Sequence, residues 1–458
     1  MTEQLQRVQS ILERDFESYL EDLSALVRIP SVSWSAFDPV HVERSAQAVA
    51  SLASDLGFFD EINIVRSQKD DGTGLGQPAV LARKEPRNGA KTVLLYAHHD
   101  VQPPGDDALW ETSVFEPVIR GERMFGRGAA DDKAGVVSHL ASIRILQELG
   151  EADVGVVLFV EGEEEFGSPS FSNFLRDNKE TLASDVIIVA DSGNWSTTVP
   201  ALTVSLRGNV TMTVRVRTLD HAVHSGMFGG PVPDAFMVAS RIMASFYASD
   251  GTVCVSGLTG SDEKTPEYPE SQLREDSGLL PSVEAIGSKS YLSRIWTEPS
   301  ISITGIDAPS IENASNTLLP EVAFKISVRV APGQKAQVAA DAVIAHINSV
   351  SPFGVIPIFE DVTTGEGFLV NTGGVAVAGM KQAMSDAWGE TPVDMGVGGS
   401  IPFISEFVSE FPAAEILVTG VEDPDSRAHS PNESLHLGAF RKAITAQALF
   451  LSGLSKEE

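Results

Sequence analysis

Cysteine is almost missing from this chain: Cys254 is the single thiol in 458 residues. No disulfide can close within the chain, and no thiolate-based zinc site can form. A reducing compartment is the expectation. Basic residues are also scarce, 33 Lys and Arg against 63 Asp and Glu, for a formal net charge of -30. No basic run stands out, so neither nucleic acid nor an anionic membrane is an expected partner. No apolar stretch approaches the roughly 20 residues of a membrane-crossing helix. The opening "MTEQLQRVQSILERDFESYL" has no charged-then-apolar leader pattern, and a soluble cytoplasmic protein is expected. The serines sit in no Gly-x-Ser-x-Gly elbow, and no Gly-x-Gly-x-x-Gly follows a strand-like run, which argues against a serine hydrolase and a dinucleotide site.

Apolar residues are plentiful, at 42%, and the length favours two domains. Leu5, Val8, Leu12, Phe16, Tyr19, Leu23 and Val27 recur at helical spacing. "KTVLLYAHHD", "VGVVLFVEGEEE" and "SDVIIVADSG" read as strands separated by helical segments. That rhythm predicts an α/β fold, a mostly parallel sheet with helices on both faces. Near Ser205 the pattern changes. "ALTVSLRGNVTMTVRVRT" and "EVAFKISVRVAP" alternate apolar and polar residues, as antiparallel strands with one wet face do. After Val375 the first pattern returns. The expected architecture is an α/β domain, 1–204 and 370–458, interrupted by an inserted α+β domain, 205–369.

In an open parallel sheet, ligands bind beyond the carboxyl ends of the strands. His98, His99 and Asp100 follow the first apolar run; Glu161, Glu163, Glu164 and Glu165 follow the second; Asp191 follows the third. "GRGAADDKAG" adds Asp131 and Asp132, and "VEDPDSRAHSPNE" adds His429. Imidazole and carboxylate without thiolate suit Zn²⁺, Mn²⁺ or Co²⁺. His98 and Asp100, two apart on extended backbone, project to one side, as a ligand and the carboxylate that fixes it would; His99 projects to the other. Of two adjacent carboxylates at such a site, one can bind while the other takes a proton from water. These considerations leave Glu163, Glu164 and Glu165 as alternatives for the two roles.

"HHDVQP", "GRGAADDKAG", "EGEEEFGS", "DSGNW", "HSGMFGG", "GGSIP" and "HSPNE" occur in this order. Together they resemble the motif series of the M20 dinuclear metallopeptidases, above all the carnosinase-like, cytosolic non-specific dipeptidase branch. The resemblance implies two divalent ions, Zn²⁺ first and Mn²⁺ or Co²⁺ as alternatives, with Asp131 between them. It implies His98 and Asp191 as ligands of one ion and Glu165 and His429 as ligands of the other. Glu164 would be the general base, acting on a bridging water, and Asp100 the partner of the metal site. The Asp131–Asp132 peptide is often cis in this family. His224 would stabilise the oxyanion across the interface of a homodimer. Arg329, Asn316, Gly399 and Ser400 would contact the substrate, a short peptide. The expected activity is dipeptide hydrolysis. The alternatives are an N-acyl-amino-acid amidohydrolase or carboxypeptidase of the same family, and a homologue that binds metal or substrate without turnover.

Overall fold

The amino-terminal apolar stripe becomes the buried face of α1 (Glu3–Val27), which closes over Leu5, Val8, Leu12, Phe16 and Leu23. The computed structural model describes residues 3–261, 264–399 and 402–455. After α1 come α2 (Val40–Asp55), β1 (Glu61–Val65), β2 (Ala79–Lys84), β3 (Thr92–His98), α3 (Lys133–Leu149), β4 (Gly155–Glu161), α4 (Phe171–Asp177), β5 (Val186–Val189) and β6 (Ala201–Leu206). The middle of the chain holds β7 (Gly208–Arg217), α5 (Ala235–Ala244), β8 (Ser300–Asp307), β9 (Glu321–Val330), α6 (Ala336–Val350) and β10 (Ile358–Gly365). Last come α7 (Val375–Trp388), β11 (Glu415–Val418) and α8 (Leu437–Leu454). The chain divides into two compact units, one of 1–204, 370–395 and 406–458, the other of 205–369 and 396–405. Among the described residues, no helix is long and apolar enough to cross a membrane.

In the first unit the strand order is β1-β2-β4-β3-β5-β11-β6. The centre is parallel: β3 pairs with β4 and β5, and β5 with β11. The flanks are antiparallel, β1-β2-β4 on one side and β11-β6 on the other. The sheet is therefore mixed, with its parallel pairs where helices make the crossovers, α3 between β3 and β4 and α4 between β4 and β5. Every residue of β3 and β4 is buried, so both faces must be covered. Tyr96 and Phe159 point to one face, where Phe159 stacks on Phe174 of α4 with ring centroids 4.5 Å apart. The alternate residues Leu95 and Leu158 are equally buried, under the layer of α1, α3, α7 and α8. The chain leaves β3 towards β4 on one side and returns to β5 on the other. The carboxyl end of β3 is thus a switch point with an open crevice.

The second unit is a four-stranded antiparallel sheet of order β8-β9-β7-β10. Along β7, Val210, Met212, Val214 and Val216 are buried and alternate with partly exposed polar residues. They pack with Phe324, Ile326 and Val328 of β9 against α5 and α6, leaving the opposite face polar.

Candidate metal centre

His98 is the last residue of β3 and is fully buried. Its Nδ1 lies 3.1 Å from the carbonyl oxygen of Asp100 and 3.4 Å from Asp100 Oδ1. The ring is thereby fixed with Nε2 facing the crevice. There Nε2 is 3.1 Å from Asp131 Oδ1, 3.9 Å from Asp191 Oδ1 and 4.0 Å from Glu164 Oε2. His429 approaches from the opposite side. Its Nε2 is 3.0 Å from Asp131 Oδ2 and 3.2 Å from Glu165 Oε2. Asp131 thus stands between two imidazoles, one oxygen towards each. Donor atoms of His98, Asp131 and Glu165 all lie within 4.8 Å of one another, and so do those of His98, Glu164 and Asp191.

Other carboxylates hold this arrangement. Asp100 accepts from Ser33 Oγ at 2.7 Å and from the backbone N–H groups of Glu164 and Glu165 at 3.2 and 3.1 Å. One side chain therefore orients the His98 ring and the turn that carries two of the glutamates. Glu433 accepts from the N–H groups of Gly128, Ala130 and Asp131 at 3.0, 2.9 and 3.1 Å, and from Arg127 Nη1 at 2.7 Å. It ties the loop bearing His429 to the loop bearing Asp131. The Asp131–Asp132 peptide is cis, as the resemblance implied. His429 has φ 63, and Arg427 and Asn432 beside it also have positive φ. Such backbone in non-glycine residues concentrates at functional sites.

The donor set can be tested against a cation by its charge balance. Burial raises Glu164 well above the usual carboxylate range, with the charge of Asp191 adding to it. Burial likewise brings Glu165 to about 7, with Asp131 adding, and Asp191 to about 6. Burial would lower His98, but its hydrogen bonds to the carboxylates of Asp100 and Asp131 hold it well above its ordinary value. His429 is pushed up to about 11, first by Asp131 and then by Glu165. The group is short of positive charge, and it presents imidazole nitrogen and carboxylate oxygen to one crevice. Divalent ions of borderline hardness fit that deficit and those donors.

The remaining acids of the glutamate cluster are not solvated. Glu161 is 3% exposed, accepts from the Tyr96 hydroxyl at 2.6 Å, and is raised by burial to about 8. Glu163 is also 3% exposed and accepts from the N–H groups of Gln77 and Ser170. His99 faces away from the crevice, with its Nε2 2.9 Å from the Pro78 carbonyl oxygen. In the second unit, His224 is exposed and pairs with Thr317, while Ser225 N–H donates to Asn316 O at 2.8 Å. The fold thus sets His224 beside Asn316. Arg329 lies on β9 opposite Asn209 and Ser300 and is partly buried. Gly399 occupies a bend, and Ser400 lies outside the described residues.

A family model described as Peptidase family M20/M25/M40 matches residues 94–452. The chain belongs to that family. It is 32% identical over 415 residues to a cysteinylglycine-S-conjugate dipeptidase of Corynebacterium striatum, with 89% of each chain covered. It is 28% identical over 460 residues to a Cys-Gly metallodipeptidase of Schizosaccharomyces pombe, with 96% of each covered. The crystal structure of human carnosine dipeptidase 1 superposes with a TM-score of 0.78 at 21% identity over the full length of both, a likeness of fold.

In this M20 family chain the role of Glu433, the last residue of "HSPNE", is not legible in the sequence. Its partners are backbone N–H groups about three hundred positions earlier, which no local pattern displays. Ser33 was missed too; a hydroxyl in a loop carries no spacing rule. The buried Arg127 sits between Gly126 and Gly128, where no local pattern marks it.

Proposed function

We propose that this M20 family protein is a metal-dependent dipeptidase acting on short peptides. The observation that carries the reading is Asp131, with one carboxylate oxygen 3.1 Å from His98 Nε2 and the other 3.0 Å from His429 Nε2. Such a residue suits a bridge between two ions. His98 and Asp191 would hold one, Glu165 and His429 the other. Two divalent ions there, Zn²⁺ first and Mn²⁺ or Co²⁺ as alternatives, supply Lewis acidity and a lowered water pKa.

The protein's own groups do the rest. Glu164 takes the proton from the attacking water and returns it to the leaving amine. Its backbone N–H bonds to Asp100, which keeps base and His98 in one frame. His224 donates to the oxyanion, reaching the centre of the opposite subunit in a homodimer. Arg329 grips the terminal carboxylate, with Asn316, Gly399 and Ser400 as further contacts. The dipeptidases among the relatives support a peptide substrate. The single thiol supports a cytoplasmic setting.

Dipeptides, tripeptides and N-acyl amino acids are assayed with purified protein plus Zn²⁺ or Mn²⁺. Dipeptide hydrolysis that a chelator abolishes is the expected result. Turnover of N-acyl substrates alone would refute the dipeptidase reading. Glu164→Gln should lower kcat by about 10²–10⁴-fold at wild-type metal content. Survival of activity would remove Glu164 as the base.

A further inference from the structure

We propose that Trp34 and Phe166 form an aromatic wall that receives the side chain of the substrate's amine-bearing residue, selecting dipeptides with a large apolar group there. The inference rests on the dipeptidase reading and adds a specificity determinant to it. Asp100 Oδ2 accepts from Ser33 Oγ at 2.7 Å and from Glu165 N–H at 3.1 Å. The residues that follow those two donors are Trp34 and Phe166. A single buried carboxylate thus holds the residues that immediately precede the two aromatics, from segments far apart in the sequence. Their rings meet edge-to-face, centroids 5.1 Å apart and planes at 73°.

Both rings are nevertheless open to solvent, Trp34 by 38% and Phe166 by 42%. Phe37, on the same turn as Trp34, is 38% exposed, and its N–H donates to Trp34 O at 3.0 Å. Large apolar side chains left open together mark binding surfaces more often than chance. The turn that carries Phe166 is hydrogen-bonded on itself. Phe166 ends the single turn Glu164–Phe166, which is closed by Gly167 N–H on Glu164 O at 2.7 Å and Ser168 N–H on Glu163 O at 3.0 Å. A preorganised aromatic pair loses little entropy when a ligand lands on it.

Charge sets the orientation. The crevice is crowded with carboxylates, so the free ammonium of a peptide is drawn inward and the side chain beside it must leave the centre. The wall that adjoins the Glu164–Glu165 turn is apolar, and it suits a large aliphatic or aromatic side chain.

The test compares kcat/KM for Phe-Gly and Leu-Gly with that for Ala-Gly, using metal-loaded wild type, Trp34→Ala, Phe166→Ala and the double variant. Wild type should prefer the large residues. Each alanine variant should lower the preference about tenfold, and Trp34→Phe and Phe166→Tyr should retain it, all at wild-type metal content. An unchanged preference in the alanine variants overturns this proposal alone. No hydrolysis of any dipeptide by wild type overturns the dipeptidase reading and this proposal with it. A second measurement avoids variants altogether. Phenylalaninol should inhibit wild-type hydrolysis of Ala-Gly at least tenfold better than alaninol, and equal inhibition overturns the wall.

Discussion

Replacing Glu433 with alanine probes how the centre is held together. The carboxylate is fully buried and accepts from three backbone N–H groups and from Arg127, whose side chain is 1% exposed. Breaking a buried ion pair from one side costs about 3–5 kcal/mol, because the remaining charge is stranded. Each N–H left unpaired adds about 1 kcal/mol or more. Water entry recovers part of this, so Glu433→Ala should cost at least ~4 kcal/mol in the metal-free protein. Glu433→Gln keeps an acceptor oxygen but not the charge, and should fall between. Asp131 also loses the anchor of its own N–H, so metal affinity should drop about 10–100-fold, as when the partner of a ligand is removed elsewhere. The assays are chemical denaturation of the metal-free protein and metal titration of the same samples. Adding Arg127→Met to Glu433→Ala should recover ~2 kcal/mol or more, since the stranded guanidinium is gone. A variant within ~1 kcal/mol of wild type that binds metal with unchanged affinity would refute the reasoning.

Two further perturbations test the frame around the site. His139 on α3 is buried, with Nε2 2.9 Å from Tyr96 O and Nδ1 beside the Gln447 amide, 2.9 Å from its Nε2 and 3.1 Å from its Oε1. Burial lowers its pKa to about 4, against about 6.5 in the unfolded chain. The folded state thus binds fewer protons, and stability present above pH ~6.5 is lost as pH falls towards ~4, by ~3 kcal/mol in all. His139→Gln should flatten that part of the denaturation-midpoint profile relative to wild type, and superimposable profiles would count against it. Gly162 follows β4, and a Cβ there would stand 2.3 Å from Pro78 O and 2.9 Å from the His99 ring. Gly162→Ala should therefore cost about 1–3 kcal/mol, read as a lower thermal midpoint; an unchanged midpoint would mean that the β2–β4 edge yields freely.

The parts of the fold that were legible in the sequence are those with a local period. Buried strands such as β3 and β4 appear as apolar runs, and β7 and β9 as alternation, because each pattern follows from which faces are covered. Parity also placed His98 and Asp100 on one side and His99 on the other: His98 Nδ1 lies 3.4 Å from Asp100 Oδ1, whereas His99 Nε2 faces Pro78 O. It could not sort the glutamates. The chain stops being a strand at Glu161 and becomes a tight turn over Glu164–Phe166, so odd and even positions no longer mean opposite faces. The antiparallel flanks of the sheet were hidden as well. β2 is nearly as buried as a central strand because it lies between β1 and β4, and burial records coverage rather than strand direction.

Hydrogen-bond donors divide the acids more sharply than sequence position does. Asp100, Glu163 and Glu433 each accept from two or more backbone N–H groups, so their oxygens are committed to holding loops. Glu161 is engaged by the Tyr96 hydroxyl. Glu165 accepts from Gln102 N–H at 3.2 Å on Oε1 and from Gln102 Nε2 at 2.7 Å on Oε2, which also faces His429. Among the described residues, no N–H or O–H within hydrogen-bond distance donates to the carboxylates of Glu164 or Asp191, whose approach to His98 Nε2 stays at 4.0 and 3.9 Å. A carboxylate that must collect a proton from water and hand it on needs unoccupied lone pairs and room to turn. Of the four acids in "VEGEEEFGS", Glu164 alone accepts no hydrogen bond on its carboxylate from the described residues.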